Sequence, residues 1–157
     1  MSRILYGRPP LVFHPPSDAE QVSPLIPGSS SLETTEPGSL DEAVIYAPPG
    51  AIERRHVLAL ALRGLKPGGR LDVMAPKDKG GSRLKKELAG FGVEVGETAK
   101  AHHRRCEAIR PVTVHGLDAA IAAGGPRRIA GPDRSRPSRR RSRSTQRRRS
   151  ARRLRLG

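Results

Sequence analysis

The sequence predicts an α/β fold in which a parallel sheet is closed by an antiparallel hairpin. Short β-branched and aromatic runs alternate with helix-forming runs between residues 39 and 115. Strands that alternate with helices pair in parallel through right-handed crossovers, so the order β-α-β-α-β-β indicates a parallel sheet. A short connection joins the last two strands, and we therefore expect them to pair as an antiparallel hairpin.

Local patterns define the first strand, the first helix and the second strand. Residues 42–47 (EAVIYA) form a short β-branched and aromatic run before two prolines, which predicts a strand. Residues 51–65 combine a broad apolar stripe with strong helix formers, which predicts a helix. The Lys-Pro-Gly-Gly run at 66–69 should end that helix in a turn. Residues 70–75 (RLDVMA) predict the second strand.

The second helix and the closing hairpin follow the same logic. Residues 76–81 form a polar loop, and residues 82–89 predict a helix with Leu84 and Leu88 on one face. Residues 93–98 and 104–110 predict the two hairpin strands. The predicted α/β domain thus spans residues 39–115, and residues 116–126 predict a helical linker.

The two ends of the chain differ in composition from this central region. Residues 1–38 contain seven prolines, which forbid long helices and central strands, so we expect an irregular arm. The formal net charge is +15, but residues 1–126 carry only +2 and residues 127–157 carry +13. That final stretch has 14 Arg and almost no apolar residues, and we expect it to be a disordered Arg-rich tail.

Composition also excludes several classes of protein. No window is long and apolar enough for a transmembrane helix, and the single Cys106 excludes a disulfide framework. We therefore expect a cytoplasmic protein. His102, His103, Cys106 and Glu107 are metal-ligand types, but adjacent histidines lie on opposite sides of a strand and no fourth ligand is evident. No metal site is predicted.

The turn from the first helix into the second strand carries a family resemblance. The run LKPGGRL at residues 65–71, after a strand that ends in Pro-Pro, resembles the second half of class I S-adenosylmethionine-dependent methyltransferases. More narrowly, residues 6–110 resemble the degenerate N-terminal domain of bacterial small-subunit ribosomal RNA guanine-N2 methyltransferases. The resemblance implies a partial Rossmann-like sheet, S-adenosylmethionine as the cofactor of the full-length family, and ribosomal RNA as partner.

The positions that carry chemistry in that family differ in this chain. The family's glycine-rich cofactor loop is missing, since Gly28 and Gly38 are isolated among Ser and Pro. The family's Asn-Pro-Pro-aromatic motif binds and stacks the target base, whereas this chain has Ala47-Pro48-Pro49-Gly50. Because Ala and Gly cannot do either task, we expect no catalytic residue and no cofactor bound by this chain.

Two functions remain open from the sequence. The first is the noncatalytic N-terminal part of an RNA methyltransferase, truncated by a loss of reading frame near residues 127–132, with its catalytic domain missing. The second is a noncatalytic RNA-binding protein that acts through a genuine Arg-rich tail. For the cationic cluster of the body, the sequence favours a solvated face somewhat over an RNA contact. The candidate RNA contacts are Lys77, Lys79, Arg83, Lys85 and Lys86 in the body, and Arg139, Arg140, Arg141, Arg147, Arg148 and Arg149 in the tail. Neither the target nucleotide nor the oligomeric state follows from the sequence.

Overall fold

The computed structural model of the protein describes residues 2–124. The chain divides into two units, Met1–Gly124 and Gly125–Gly157, and the described residues belong to the first. The predicted disordered tail, with its candidate arginines, lies outside the described residues, as does the end of the predicted helical linker.

The described residues form one mixed sheet with helices, which confirms the predicted α/β fold. The strands have the order β2-β1-β3-β4-β6-β5. β1 to β4 pair in parallel, and β6 pairs antiparallel with both β4 and β5, as predicted for a closing hairpin. The six strands are β1 (Arg3–Tyr6), β2 (Glu20–Gln21), β3 (Leu40–Tyr46), β4 (Leu65–Pro76), β5 (Gly96–Lys100) and β6 (His103–Ile109).

Within residues 2–124, three α-helices and three short 3-10 turns accompany the sheet. Helix α1 begins after an extended Gly50 and carries Glu53 in its first turn and Arg63 in its last, which suits the helix dipole. The helices are α1 (Ala51–Gly64), α2 (Leu84–Gly90) and α3 (Leu117–Gly124), and the 3-10 turns are Leu11–Phe13, Leu32–Thr34 and Gly81–Arg83.

The N-terminal stretch contributes to the sheet, which corrects the expectation that residues 1–38 are irregular throughout. β1 lies between β2 and β3 and pairs in parallel with both. Its side chains alternate, with Ile4 and Tyr6 buried and Arg3 and Leu5 on the other face. Prolines exclude long strands, but a four-residue strand ends before Pro9 and a two-residue strand fits between later prolines.

The predicted turn at residues 66–69 is part of β4, and this is a second correction. β4 pairs with β3 through Leu65 opposite Leu40, and the next pair joins Arg70 to Glu42. The intervening residues form a bulge, in which Gly68 has a positive φ of 88°. The sequence correctly indicated a glycine-dependent bend, but the strand continues through it.

The main core lies on one face of the sheet. Ile45, Leu71 and Val73 point to this face and are fully buried against the helices, where Leu58 and Leu62 of α1 are also fully buried. A smaller cluster covers part of the opposite face and consists of Phe13, Val44 and Met74, with Leu5 and Tyr46 packed against it. Helices therefore cover one face, whereas a 3-10 turn covers part of the other.

Candidate functional site

The carboxyl ends of the parallel strands form the edge where a ligand would be expected. In open α/β sheets, ligands bind outside the carboxyl ends of the strands, at the point where the strand order reverses. Here the order reverses between β1 and β3, because β1 leads outward to β2 while β3 leads through α1 to β4. Gly7 after β1 and Ala47 after β3 therefore border the candidate crevice.

The side chain of Gln21 fills the end of β1. Its Oε1 accepts hydrogen bonds from the backbone N–H groups of Gly7 (3.3 Å), Val22 (3.1 Å) and Ser23 (3.0 Å). Its Nε2 donates to the carbonyl of Gly7 at 3.0 Å. One amide thus ties the ends of β1 and β2 together and uses the backbone donors there.

The loop that follows β1 does not form a glycine-rich cradle. Gly7 has a φ of +81°, and a Cβ placed on it would lie 3.0 Å from the Cβ of Tyr46, so the loop lies directly against β3. Pro9 and Pro10 have no N–H to donate, and the chain then continues into the 3-10 turn that reaches Phe13. An anionic ligand group needs several free backbone N–H groups at such a turn. The turn after Gly7 therefore lacks the set of free N–H groups that the anionic end of S-adenosylmethionine, the cofactor expected for the full-length family, would need.

The Ala47-Pro48-Pro49-Gly50 positions lie at the carboxyl end of β3 and lead into α1. Ala47 is buried, and its N–H donates to the carbonyl of Met74 at 2.9 Å. Gly50 is exposed and caps the helix with its extended backbone. The turn therefore connects a strand to a helix and presents neither a polar side chain nor an aromatic ring at the Ala47 and Gly50 positions.

A buried arginine locks that turn to α2, and sequence reasoning missed it. Arg54 is 1% exposed and forms a two-pronged ion pair with Glu87 of α2, through N–O distances of 2.6 and 2.7 Å. Its Nη1 also donates to the carbonyl of Pro49 at 2.7 Å. Gly80 packs so closely that a Cβ there would overlap the guanidinium group. We call Arg54 with Glu87 the arginine clamp.

On the face of the sheet opposite the helices, the ring side chains of Tyr46, His103 and Phe13 pack together. The hydroxyl of Tyr46 lies 3.0 Å from Nε2 of His103, and Nδ1 of His103 lies 2.6 Å from the carbonyl of Ala101. Nδ1 must donate to that carbonyl, so in the neutral ring Nε2 accepts from the phenol. Burial raises the pKa of Tyr46. Phe13 meets His103 edge-on, with ring centres 5.4 Å apart.

A second ion pair, partly buried, lies on the same face of the sheet. Arg105 forms a two-pronged pair with Asp72, with N–O distances of 2.9 and 2.7 Å, and its guanidinium lies over Phe13. Hydrogen bonding to the Asp72 carboxylate raises the pKa of Arg105. No local sequence signal could have revealed these contacts, because the partners are distant in the chain.

The structure separates the cationic candidates of the body into two groups. Lys77 and Lys79 are exposed in the loop after β4, at the carboxyl edge. Arg83, Lys85 and Lys86 are exposed at the 3-10 turn and α2, and Lys85 lines a groove with Glu94. The hairpin turn between β5 and β6 joins the first group, since the N–H of Lys77 donates to the carbonyl of His102 at 2.9 Å.

Other candidate chemistry is limited in the part of the chain that the structure describes. No group of three His, Cys, Asp or Glu side chains within residues 2–124 could hold a metal ion. Cys106 is buried on the helix-covered face, and burial raises its pKa to about 12. Within the same residues, every helix is too short or too polar to cross a membrane.

Comparison with known proteins gives the fold an external reference. No family model matches the sequence, and no curated protein matches it. The T. thermophilus 16S rRNA N2 G1207 methyltransferase, solved with AdoMet and guanosine, superimposes with a TM-score of 0.55 at 21% identity. That match covers 74% of this chain and 37% of the other.

A second solved structure is a 16S rRNA (adenine(1408)-N(1))-methyltransferase of Catenulisporales acidiphilia. It matches with a TM-score of 0.43 at 15% identity, and the match covers 71% of this chain and 85% of that chain. The superposition on the T. thermophilus enzyme shows that the two chains share a Rossmann-like fold, which in this chain ends in a closing antiparallel hairpin. This chain spans little more than a third of the T. thermophilus protein.

Proposed function

We propose that residues 2–124 form a noncatalytic methyltransferase-like module that helps a ribosomal RNA guanine-N2 methyltransferase to hold its RNA. The methyl transfer itself belongs to a separate catalytic domain, which binds S-adenosylmethionine. The observation that carries the proposal is the Gln21 amide, which bonds to Gly7, Val22 and Ser23 where a cofactor cradle would need free N–H groups.

The second support comes from the part of the crevice where a target base would bind. A methyltransferase that modifies a guanine amine must hold a flipped base, with a hydrogen-bond acceptor for the amine and a flat surface for the ring. The corresponding turn of this chain presents Ala47 and Gly50, and the arginine clamp fixes that turn through the Pro49 carbonyl. The turn offers neither the acceptor nor the stacking surface.

The RNA part of the proposal is supported by the fold and by charge. The T. thermophilus structure with the same fold is a 16S rRNA methyltransferase and holds guanosine. The carboxyl edge of this chain exposes Arg8, Lys77 and Lys79, whose side chains form no ion pair within the described residues. Exposed, unpaired cations are available to neutralise phosphates.

Calorimetric titration of the full chain with S-adenosylmethionine tests the noncatalytic role. We expect no saturable heat up to about 1 mM ligand, where even binding worth about 4 kcal/mol would be detected. One-site binding in the micromolar range would contradict the proposal. Gln21→Ala is the informative variant, because it removes the acceptor of the Gly7 and Ser23 N–H groups, whereas the Val22 N–H keeps its hydrogen bond to the Leu5 carbonyl at 3.0 Å. It reveals whether the Gln21 amide itself blocks a site.

A further inference from the structure

We infer that one surface of this chain binds the phosphate backbone of RNA. We call it the hairpin ridge, and it consists of Lys77, Lys79, Lys100 and His102. The inference rests on the proposed function and adds a location to it, since Lys100 and His102 are not among the cationic candidates that sequence reasoning identified. The ridge combines two loops at the carboxyl edge of the sheet.

Backbone and side-chain contacts hold the two loops together. Lys77 donates its N–H to the carbonyl of His102 at 2.9 Å, which joins the loop after β4 to the hairpin turn. The ammonium of Lys100 lies 3.4 Å from the carbonyl of Val12, so the turn also touches the segment after β1. Lys79 closes its own turn through a 3.0 Å hydrogen bond to the carbonyl of Pro76. The cations are therefore presented on a fixed backbone.

The hairpin turn adopts a conformation that its residues disfavour. Lys100 pairs with His103, so Ala101 and His102 form a two-residue turn, and both have positive φ values, 51° and 62°. Such turns favour Asn-Gly because left-handed backbone strains other residues. His14, which follows Phe13 beside the turn, is the remaining non-glycine residue with positive φ within the described part. Strained backbone of this kind concentrates at functional sites.

The cations of the opposite, amino edge behave differently. Lys66 pairs with Asp41 at 3.1 Å, Arg70 pairs with Glu107 at 2.8 Å, and Arg110 donates to the carbonyl of Leu62 at 2.7 Å. Carboxylates therefore neutralise Lys66 and Arg70, and the Arg110 side chain is partly buried, whereas the Lys100 ammonium is exposed and its one neighbour, the Val12 carbonyl, carries no charge.

In the ridge, by contrast, Lys77 and Lys79 are exposed and form no ion pair within residues 2–124. The one acidic neighbour in the same loop is Asp78, which is also exposed and unpaired among the described residues. The ridge thus presents three ammonium groups and an imidazole against one carboxylate. Its charge is available to an external anion.

The chemistry of the ridge favours RNA over an acidic protein. Lysines are depleted at the centres of protein interfaces, where Tyr, Trp, Phe and Arg side chains dominate, and the ridge contains no Phe, Tyr, Trp or Arg. Lysine ammonium groups contact phosphates as point charges without reading bases. The ridge therefore positions RNA without selecting its sequence.

Lysine footprinting tests this surface on the full chain, because the tail contains no lysine and is invisible to the reagent. The six lysines of the chain would be acylated with and without a short single-stranded RNA of mixed sequence, and quantified by mass spectrometry. We expect RNA to protect Lys77, Lys79 and Lys100 and to leave Lys66, Lys85 and Lys86 reactive. Equal protection of both groups, or none at the ridge while RNA is bound, would overturn the inference.

Matched variants give the second readout. In the triple variant Lys77→Gln/Lys79→Gln/Lys100→Gln, the plot of log affinity against log salt should become less steep by about 2, since each lost single-strand phosphate contact removes about 0.7 from the magnitude of the slope. The control Arg83→Gln/Lys85→Gln/Lys86→Gln removes the same charge and should leave the slope unchanged. If both triple variants lower the slope equally, the ridge is not a distinct site.

Two further measurements distinguish a failure of the ridge inference from a failure of the proposed function. Protection of the ridge by polyglutamate but not by RNA would overturn the inference in favour of an acidic protein partner. The titration with S-adenosylmethionine is independent of the ridge, so micromolar cofactor binding would defeat the proposed function even if the footprint were as expected.

Discussion

The two faces of the sheet are stabilised in different ways. On the helix-covered face, Ile45, Leu71 and Val73 are completely buried against α1 and its neighbours. On the other face, Arg3 bonds Glu42 at 3.0 Å, and Arg70 lies 3.8 Å from the same carboxylate. Parallel strands are normally covered on both faces. Here ion pairs across the strands, together with the small Phe13 cluster, take the place of a second helical layer.

The short connection after β1 explains both the uncovered face and the closed crevice. Right-handed crossovers place the β3–β4 connection, α1, on one face and the oppositely directed β1–β2 connection on the other. That second connection spans residues 7–19 and contains a single 3-10 turn, Leu11–Phe13, which does lie on the opposite face. The same connection contains Gly7 as its one glycine and is rich in proline, so it also forms no glycine-rich cradle.

The largest expected effect is the loss of folding stability when an ion pair is broken, and this loss should differ between the two faces of the sheet. Arg54→Met leaves Glu87 without its partner on the helix side, and breaking a buried pair costs about 3–5 kcal/mol. Arg105→Met on the other face should cost less, roughly 1–3 kcal/mol, because the Arg105 side chain is 24% exposed and the pair is already partly hydrated. Urea denaturation of both variants measures the difference. Equal losses would mean that the second face is as dry as the first.

A neighbouring pair on β4 compares apolar with ionic stabilisation. Leu71→Ala on the helix-covered face should cost about 2–5 kcal/mol through lost burial and a cavity. Arg70→Ala on the other face should cost at most about 1 kcal/mol, because exposed ion pairs contribute little. Equilibrium unfolding under the same conditions provides the test. A loss at Arg70 as large as that at Leu71 would contradict the assigned roles of the two faces.

The smallest expected effect is the alkaline response of the helix-covered face. Burial raises the pKa of Cys106 from 9.0 to about 12, and burial beside Glu53 and Glu33 raises that of Tyr6 from 10.0 to about 12. Both groups ionise earlier in the unfolded chain, so stability is retained below pH 9 and falls as the pH rises towards 12. Cys106→Ala should reduce this fall from about pH 9 upward, and Tyr6→Phe from about pH 10 upward.

Stability measured between pH 8 and pH 11 for the three proteins checks these expectations. The starting points are the ordinary pKa values of 9.0 for the thiol and 10.0 for the phenol. A wild-type chain whose stability stays constant over that interval would show that neither group is kept neutral by the fold.

The sequence predicts the fold wherever local pattern is strong. Helix α1 was predicted at residues 51–65 and is found at Ala51–Gly64, because its apolar stripe and helix formers agree with its burial. The hairpin was also predicted, with strands displaced by a few residues. β1 was missed because a four-residue strand among prolines has too few residues to show a pattern, and its parallel partner lies far along the chain.

The candidate site was only partly accessible to sequence reasoning. The altered Ala47 and Gly50 positions could be identified from the resemblance, and Lys77 and Lys79 from their charge. Gln21 could not be identified, because its role depends on hydrogen bonds from β2 to Gly7 at the end of the adjacent strand β1. The arginine clamp joins residues 33 positions apart, and Tyr46 meets His103 across 57 positions. Contacts of this kind are set by packing and have no local signature.

The most direct test of the central claim follows the amide signal of Gly7 by NMR while S-adenosylmethionine is added to the full chain. The account predicts that the N–H signals of Gly7, Val22 and Ser23 stay unchanged, because the side-chain oxygen Oε1 of Gln21 accepts from all three. Saturable shifts of these signals with added S-adenosylmethionine would contradict it, since the crevice would then open to the cofactor.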